Sequence, residues 1–140
     1  MYGEGNEKRL TGDFTRTYTN DAMLWGIENE PIAREFYASL NDVSVEQVGL
    51  YIHPRFDFAA ASPDGLVGDD GGVEIKCLVS PEKIREAILN HDITPWIDQV
   101  QGGMWITGRA WWDFIIYCPA LAGVNRDLTI WHVERDEDYI

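Results

Sequence analysis

Asp64, Glu74 and Lys76 are the residues whose types and spacing can do chemistry. Asp64 follows the apolar run Phe58-Ala59-Ala60-Ala61 within Ser62-Pro63-Asp64-Gly65-Leu66, and Glu74 and Lys76 stand two apart in Val73-Glu74-Ile75-Lys76-Cys77. Between them, Gly68-Asp69-Asp70-Gly71-Gly72 can reverse the chain, because Gly tolerates positive φ and Asp tolerates turn geometry. The pattern predicts a β-hairpin with Asp64 on its first arm and Glu74 and Lys76 on its second. Strand side chains alternate, so Glu74 and Lys76 share one face while Val73, Ile75 and Cys77 take the other.

Such a face suits metal-dependent phosphodiester hydrolysis. That reaction needs an activated water, an electrophile on the phosphoryl oxygens and help for the leaving oxygen, and Mg²⁺ supplies all three, especially as a pair about 4 Å apart. Mg²⁺ prefers oxygen ligands and takes few carboxylates beside waters and substrate phosphate. Asp64, Glu74 and the adjacent Ile75 carbonyl meet that demand, and Lys76 can orient the water or neutralise developing charge. Taken singly, Asp64 equally fits a turn aspartate in Pro-Asp-Gly. Lys76 equally fits a plain salt bridge, although an inward strand lysine is costly without a task.

The elements that must hold these residues can be read in order. Residues 1–18 show little periodicity and are expected to form an irregular lead-in. Thr19 or Asn20 can cap a helix carrying Ala22, Met23, Ile27, Ile32, Ala33, Phe36, Tyr37 and Leu40. Pro31 interrupts it at a cost of about 3 kcal/mol if interior, so the helix either kinks at Glu30 or restarts at Pro31. Both put Glu30 at a backbone irregularity, where its carboxylate can turn inward. Val45 to His53 reads as a strand with Val48, Leu50 and Ile52 on one face, and Pro54 ends it before the Arg55-Phe56-Asp57 turn. After the hairpin, Ser80-Pro81 opens a helix with Ile84, Ala87 and Ile88 as its stripe. Thr94-Pro95 opens another, running through Trp96, Ile97, Val100, Met104 and Trp105 to Gly108. Trp111 to Tyr117 and Leu128 to Val133 read as strands. The order implies a single α/β domain over 1–140, with a mixed sheet and helices packed on it.

Composition sets outer limits. A chain of 140 residues with six Trp, six Tyr and five Phe can bury a real core. No apolar run reaches the roughly 18 residues of a membrane helix, and the N-terminus lacks a signal peptide's apolar segment, so no membrane partner is expected. Two cysteines, Cys77 and Cys118, cannot form a disulfide framework, and they predict buried thiols in a reducing compartment, the cytoplasm of a bacterial or phage-infected cell. The formal charge of −13, with eleven Lys and Arg, is awkward for a nucleic-acid enzyme, because phosphate contacts come from cations. A small basic patch, bound metals or assembly would have to compensate.

Pro63-Asp64 followed by Glu74-Ile75-Lys76 resembles the motif of the PD-(D/E)XK nucleases. More of the chain agrees: Trp25-Gly26 with Glu30 and Ala33-Arg34, Ser62-Pro63-Asp64-Gly65-Leu66, Glu74-Ile75-Lys76-Cys77, Gln99-Val100-Gln101 with Met104-Trp105, and Glu134-Arg135-Asp136-Glu137. Together these resemble the lambda-type phage exonucleases of the YqaJ-like viral recombinase group, from about residue 20 to the end. The resemblance implies a restriction-endonuclease-like core. It implies that Asp64 bridges two Mg²⁺ ions (Mn²⁺ able to substitute), with Glu74 and the Ile75 carbonyl on the first and Glu30 on the second. Lys76 would position the water, Gln99 would contact the nucleophile or scissile phosphate, and Ser62 and Arg55 are assigned to substrate contact. The implied activity is 5′-to-3′ degradation of linear double-stranded DNA by a ring-shaped homotrimer, alongside a single-strand annealing protein in phage recombination.

Members of that group carry an N-terminal helical segment with an arginine for the 5′-phosphate, and a further C-terminal helix. The expectation is therefore a fragment, a natural truncation or a compact relative. An acidic position of the group falls on Pro54, with Asp57 as its substitute. A truncated, weakly active or inactive domain serving DNA binding or assembly is the alternative function. A repair nuclease with an iron–sulfur cluster is weaker, for two cysteines cannot supply four thiolates. Trp25, Trp96, Trp105, Trp112 and Trp131 lie in periodic segments and are read as core, with one of Trp111 and Trp112 left outward. His53, His91 and His132 show no metal-ligand spacing and are read as incidental.

Overall fold

The computed structural model describes the backbone of residues 5–79 and 81–139, and the side chains of 21–79 and 82–139. Helix α1 spans Gly5–Asn41. Short strands β1 (Val45–Glu46), β2 (Tyr51–Ile52) and β3 (Ala60–Ala61) follow, then β4 (Gly65–Val67) and β5 (Gly71–Lys76). Helix α2 (Pro81–Ile84) runs into a π-helical turn over Arg85–Leu89; a 3₁₀ turn over Thr94–Trp96 leads into α3 (Ile97–Thr107), and β6 (Trp111–Tyr117) and β7 (Leu128–Glu134) finish the fold.

The main sheet is mixed, as the sequence implies. Its order is β1-β4-β5-β6-β7. Only the β5–β6 pair is parallel, with Glu74 opposite Phe114; its neighbours are antiparallel. A parallel pair needs a crossover, and α2 with α3 supplies it. The sheet has an apolar layer on each face. On one, Ala33 and Tyr37 of α1 meet Val67, Val73, Ile75, Ile115 and Tyr117. On the other, Val100 and Met104 of α3 and Ala87 and Ile88 of the π turn meet Leu66, Trp112, Phe114, Ile116 and Trp131. Alternation along β5 thus falls as predicted, Val73, Ile75 and Cys77 turning to α1 and Glu74 turning away.

Several expectations need correction. The irregular lead-in expected over 1–18 is helical from Gly5, for Glu7, Lys8, Arg9 and Leu10 are strong helix formers. Thr19 and Asn20 are accordingly interior rather than caps. The helix neither stops nor restarts at Pro31. Burial of Ala33 and Tyr37 against β5 and β6 outweighs the missing hydrogen bond. The stripe expected on it is only partly internal, with Met23, Ile27, Ile32 and Leu40 more than half exposed. The strand expected over Val45–His53 is two strands in different sheets, β2 pairing with β3 apart from the main sheet. Gly49 lies between them, and a glycine weakens a strand interior. The cap expected at Ser80 lies outside the described residues.

The hairpin also shifts. Its first arm is Gly65–Val67, not Phe58–Ala61, and Asp64 stands just before it. Its turn is shorter, since Gly71 and Gly72 belong to β5 and lie flush against indole rings. A Cβ on Gly72 would sit 2.5 Å from Trp112, and one on Gly71 would sit 2.1 Å from Trp111. The adjacent tryptophans therefore point to opposite faces, Trp112 fully buried and Trp111 half-buried. Gly72→Ala should lower stability by about 1–3 kcal/mol through overpacking. Gly26→Ala, within α1 and with open space around it, should raise it by roughly 1 kcal/mol. Urea melts of the two variants check this pair.

Candidate functional site

The site sits where the sheet has a gap. β4 begins at Gly65, opposite Val73, so the far end of β5 has no strand on that side. Asp64 fills the vacancy: its N–H donates to the Val73 carbonyl at 3.2 Å, and its Oδ2 accepts from the Ile75 N–H at 2.7 Å. A strand residue's N–H and C=O point to the same edge. The Ile75 carbonyl therefore emerges beside Asp64.

Side chains from both covering layers reach this gap. Glu30, from α1, hydrogen-bonds Asp64. Arg34, one turn on, pairs with Glu30 at 3.4 Å, and its Nε donates to the Asp64 carbonyl at 2.9 Å. From the other layer, Gln99 of α3 donates to Glu74 Oε2 at 2.8 Å, and the Lys76 ammonium lies 3.5 Å from the same oxygen. Five residues named from the sequence, Glu30, Asp64, Glu74, Lys76 and Gln99, thus gather around Ile75, held by the Ile75–Asp64 and Gln99–Glu74 hydrogen bonds and the Lys76–Glu74 ion pair.

Burial and mutual repulsion dominate the electrostatics. Glu30 is pushed up from the usual 4.5 to about 7, first by burial and then by Asp64. Asp64 is raised by burial and by the Glu74 charge, against the pull of Glu30 and the Ile75 N–H. Burial raises Glu74 too, although Lys76 opposes it. Two buried carboxyls this close disfavour each other's ionisation, and both stand raised. Cys77, behind the pair, is raised to about 11, by burial and then by Glu30 and Asp64.

All the donors at the gap are hard oxygens, the set that suits Mg²⁺. Among the described residues no three acidic, His or Cys side chains are already gathered around a vacant point. A cation there would meet carboxyls that burial and mutual repulsion already raise. Their raised pKa values mark the electrostatic deficit a cation would relieve.

A cleft of about 290 Å³ adjoins Glu74 and Gln99, walled by Ser62 and Pro63 on one side and by Asp98, Gly102 and Gly103 on the other. Ser62 thus shares this cleft with Glu74 and Gln99. Arg55 is not among its walls; it is exposed on the β2–β3 loop, its guanidinium over the Phe56 ring at 5.7 Å. Asp57 is exposed on that loop as well. Arg109 donates to the Gly68 carbonyl in the hairpin turn and to the Gly71 carbonyl at the start of β5.

Arg34 was not singled out by type or spacing, yet it pairs with the Glu30 carboxylate and holds the Asp64 backbone carbonyl. The signal was present in its i,i+4 relation to Glu30. Two histidines read as incidental have structural roles. His132 bridges Asp113 at 2.7 Å and Glu134 at 3.1 Å, while Tyr37 donates to the same aspartate. His53 Nδ1 accepts from the Arg55 and Phe56 amides.

The sequence profile of the YqaJ-like viral recombinase domain matches residues 4–110. The chain belongs to that family. It is 39% identical to an alkaline exonuclease, LHK-Exo, from Laribacter hongkongensis, whose crystal structure superposes with a TM-score of 0.78 over 84% of this chain and 60% of that one. A crystal structure of LHK-Exo in complex with dAMP matches equally well. A phage-related exonuclease from Haemophilus somnus 129PT shares the fold, with a TM-score of 0.63 at 15% identity over 84% of this chain and 63% of that one. The uncharacterized protein R354 of Acanthamoeba polyphaga mimivirus is 33% identical over 109 residues, 69% of this chain and 20% of that protein. The chain therefore spans only part of these relatives' lengths. The fold is that of a phage-type exonuclease, as the motif implies. Among the described residues no helix is long and apolar enough to cross a membrane.

The raised carboxyls make stability depend on pH. A carboxyl with a folded pKa above its unfolded one binds extra protons when folded, so its contribution is full below the unfolded pKa and lost as pH rises through the folded one. Without divalent cations, melting temperature should fall between pH 4.5 and about 7, the interval set by Glu30, with Asp64 and Glu74 acting in the same direction. Glu30→Gln should flatten that slope in thermal melts.

Proposed function

We propose that the chain is a Mg²⁺-dependent DNA exonuclease that hydrolyses linear double-stranded DNA from 5′ ends in phage-type recombination. The convergence of Glu30, Asp64, Glu74, Lys76 and Gln99 on one gap in the sheet is the observation that carries this reading. Membership of the recombinase family and likeness to an alkaline exonuclease support it. Asp64, Glu74 and the Ile75 carbonyl would hold one Mg²⁺, and Asp64 with Glu30 a second. Bound there, the ions would acidify water and offset charge on the phosphoryl oxygens.

The chain's own residues do the rest. Gln99 holds Glu74 Oε2 and so orients that carboxylate. Lys76 places a positive charge beside it, able to hold a water by donation and to meet negative charge as it develops. Arg34 keeps Glu30 and the Asp64 backbone together. Ser62, on the cleft wall, is suited to contact the substrate strand, and Arg55 to contact its phosphates farther out. Recombination would pair the enzyme with a single-strand annealing protein, and a homotrimer would encircle the duplex. Cytoplasmic action follows from those partners.

Purified protein with Mg²⁺ and linear duplex DNA, bearing 5′-phosphate or 5′-hydroxyl ends, tests the proposal. Mononucleotides should be released from the 5′ strand, and release should stop on chelation. Asp64→Asn and Glu74→Gln should each reduce it at least ~100-fold, the scale on which a single transition-state contact acts. No release by the unmutated chain across Mg²⁺ and Mn²⁺ titrations would overturn it in favour of a binding or assembly domain. Light scattering decides the trimer independently.

A further inference from the structure

The loop between β2 and β3 holds large apolar rings out in solvent. Phe58 is 81% exposed and Phe56 39%. They are not loose, because the loop is tied at several points. His53 N–H donates to the Ala59 carbonyl at 2.9 Å and Ala59 N–H to the Phe56 carbonyl at 3.0 Å. His53 Nδ1 accepts from the Arg55 and Phe56 amides at 3.0 and 3.2 Å. The rings form a contiguous cluster rooted on α3: Phe56 stacks on Trp105 with centroids 5.9 Å apart, and the tilted His53–Trp105 and Phe58–Phe56 pairs have centroids 4.6 and 5.7 Å apart. Sequence pattern assigns Trp105 to the core, yet one side of it is open, on a hollow of about 300 Å³ shared with Asp98, Gly102 and Tyr139. Asp98 and Gly102 also wall the cleft beside Glu74. The cluster is therefore continuous with the cleft.

The geometry points to a base-stacking platform: Phe56, Phe58 and Trp105 take unpaired bases of a DNA strand that runs past the cleft. This rests on the nuclease reading and extends it. Two features favour a nucleic-acid strand as occupant. Trp105 opens on the hollow that shares Asp98 and Gly102 with the cleft, and Arg55 stands over Phe56 with a charge suited to the strand's phosphates, against the chain's overall charge of −13. Stacking needs no countercharge, and every base has a π face, so an acidic protein can hold a strand this way where phosphate pairing is scarce. The hydrogen bonds around His53 preorganise the rings before a strand arrives.

Fluorescence anisotropy with the full chain carrying Glu74→Gln, to prevent cleavage, tests this at about 50 mM salt. Two labelled strands are compared: an oligothymidylate of about twelve nucleotides, and an abasic strand of equal length with the same phosphates. Adding Phe58→Ala should weaken oligothymidylate binding about tenfold and leave abasic binding unchanged. Phe58→Trp should restore it, and Trp105 fluorescence should be quenched only by the base-bearing strand. Equal loss on both strands, or no loss, would overturn the platform. So would light scattering in which Phe58→Ala breaks up an assembly, since the rings would then be a subunit contact. If the unmutated chain cleaves duplex DNA while Phe58→Ala binds both strands normally, the platform alone fails. If the unmutated chain neither binds nor cleaves DNA, both readings fail.

Discussion

Much of this structure depends on a side chain standing in for a missing strand. Where β4 begins at Gly65, the edge of β5 would expose the Val73 carbonyl and the Ile75 amide, and unpaired backbone groups at a buried edge are costly. Asp64 satisfies both, one with its own amide and one with its carboxylate. That pairing fixes the carboxylate against β5 next to Glu74. It also keeps β4 short, which opens the sheet locally so that α1 and α3, on opposite faces, can both reach one point. Without the gap, Glu30 and Gln99 would be separated by the sheet.

The same gap concentrates negative charge. Glu30, Asp64 and Glu74 are drawn together by hydrogen bonds and by the packing of their elements, not by mutual attraction. Arg34 and Lys76 offset only part of the repulsion, and burial with mutual repulsion holds all three carboxyls above their usual pKa. Such frustration is usual where a site is built for a task rather than for stability. The surrounding core holds it. Ala33 and Tyr37 seat α1, Val100 and Met104 seat α3, and Trp112 fills the space between Gly72 and Gly103.

Around the site the protein divides its labour between two kinds of surface. The gap offers oxygens and one ammonium, while the rim beside it offers aromatic rings on a tied loop. Met23, Ile27, Ile32 and Leu40 of α1 are also left more than half exposed, spread around the helix rather than on one face.

The sequence alone determined the family, the strand carrying Glu74 and Lys76, and the limits of β6, and it named the five residues that the fold then brings to the gap. Those depend on local rules: alternation along a strand, turn chemistry, and residue types in register. It misjudged what tertiary contacts decide. Whether Pro31 breaks α1 depends on how well Ala33 and Tyr37 pack, and whether Val45–His53 is one strand depends on which edge lies free for it. Gly71 and Gly72 read as turn residues until Trp111 and Trp112 lie against them. Spacing did not disclose that Asp64 replaces a strand partner, that Arg34 braces it, or that Trp105 anchors the loop rings. Each of these joins residues far apart in the chain, and only the folded sheet and its two covering layers bring them within hydrogen-bonding or stacking distance.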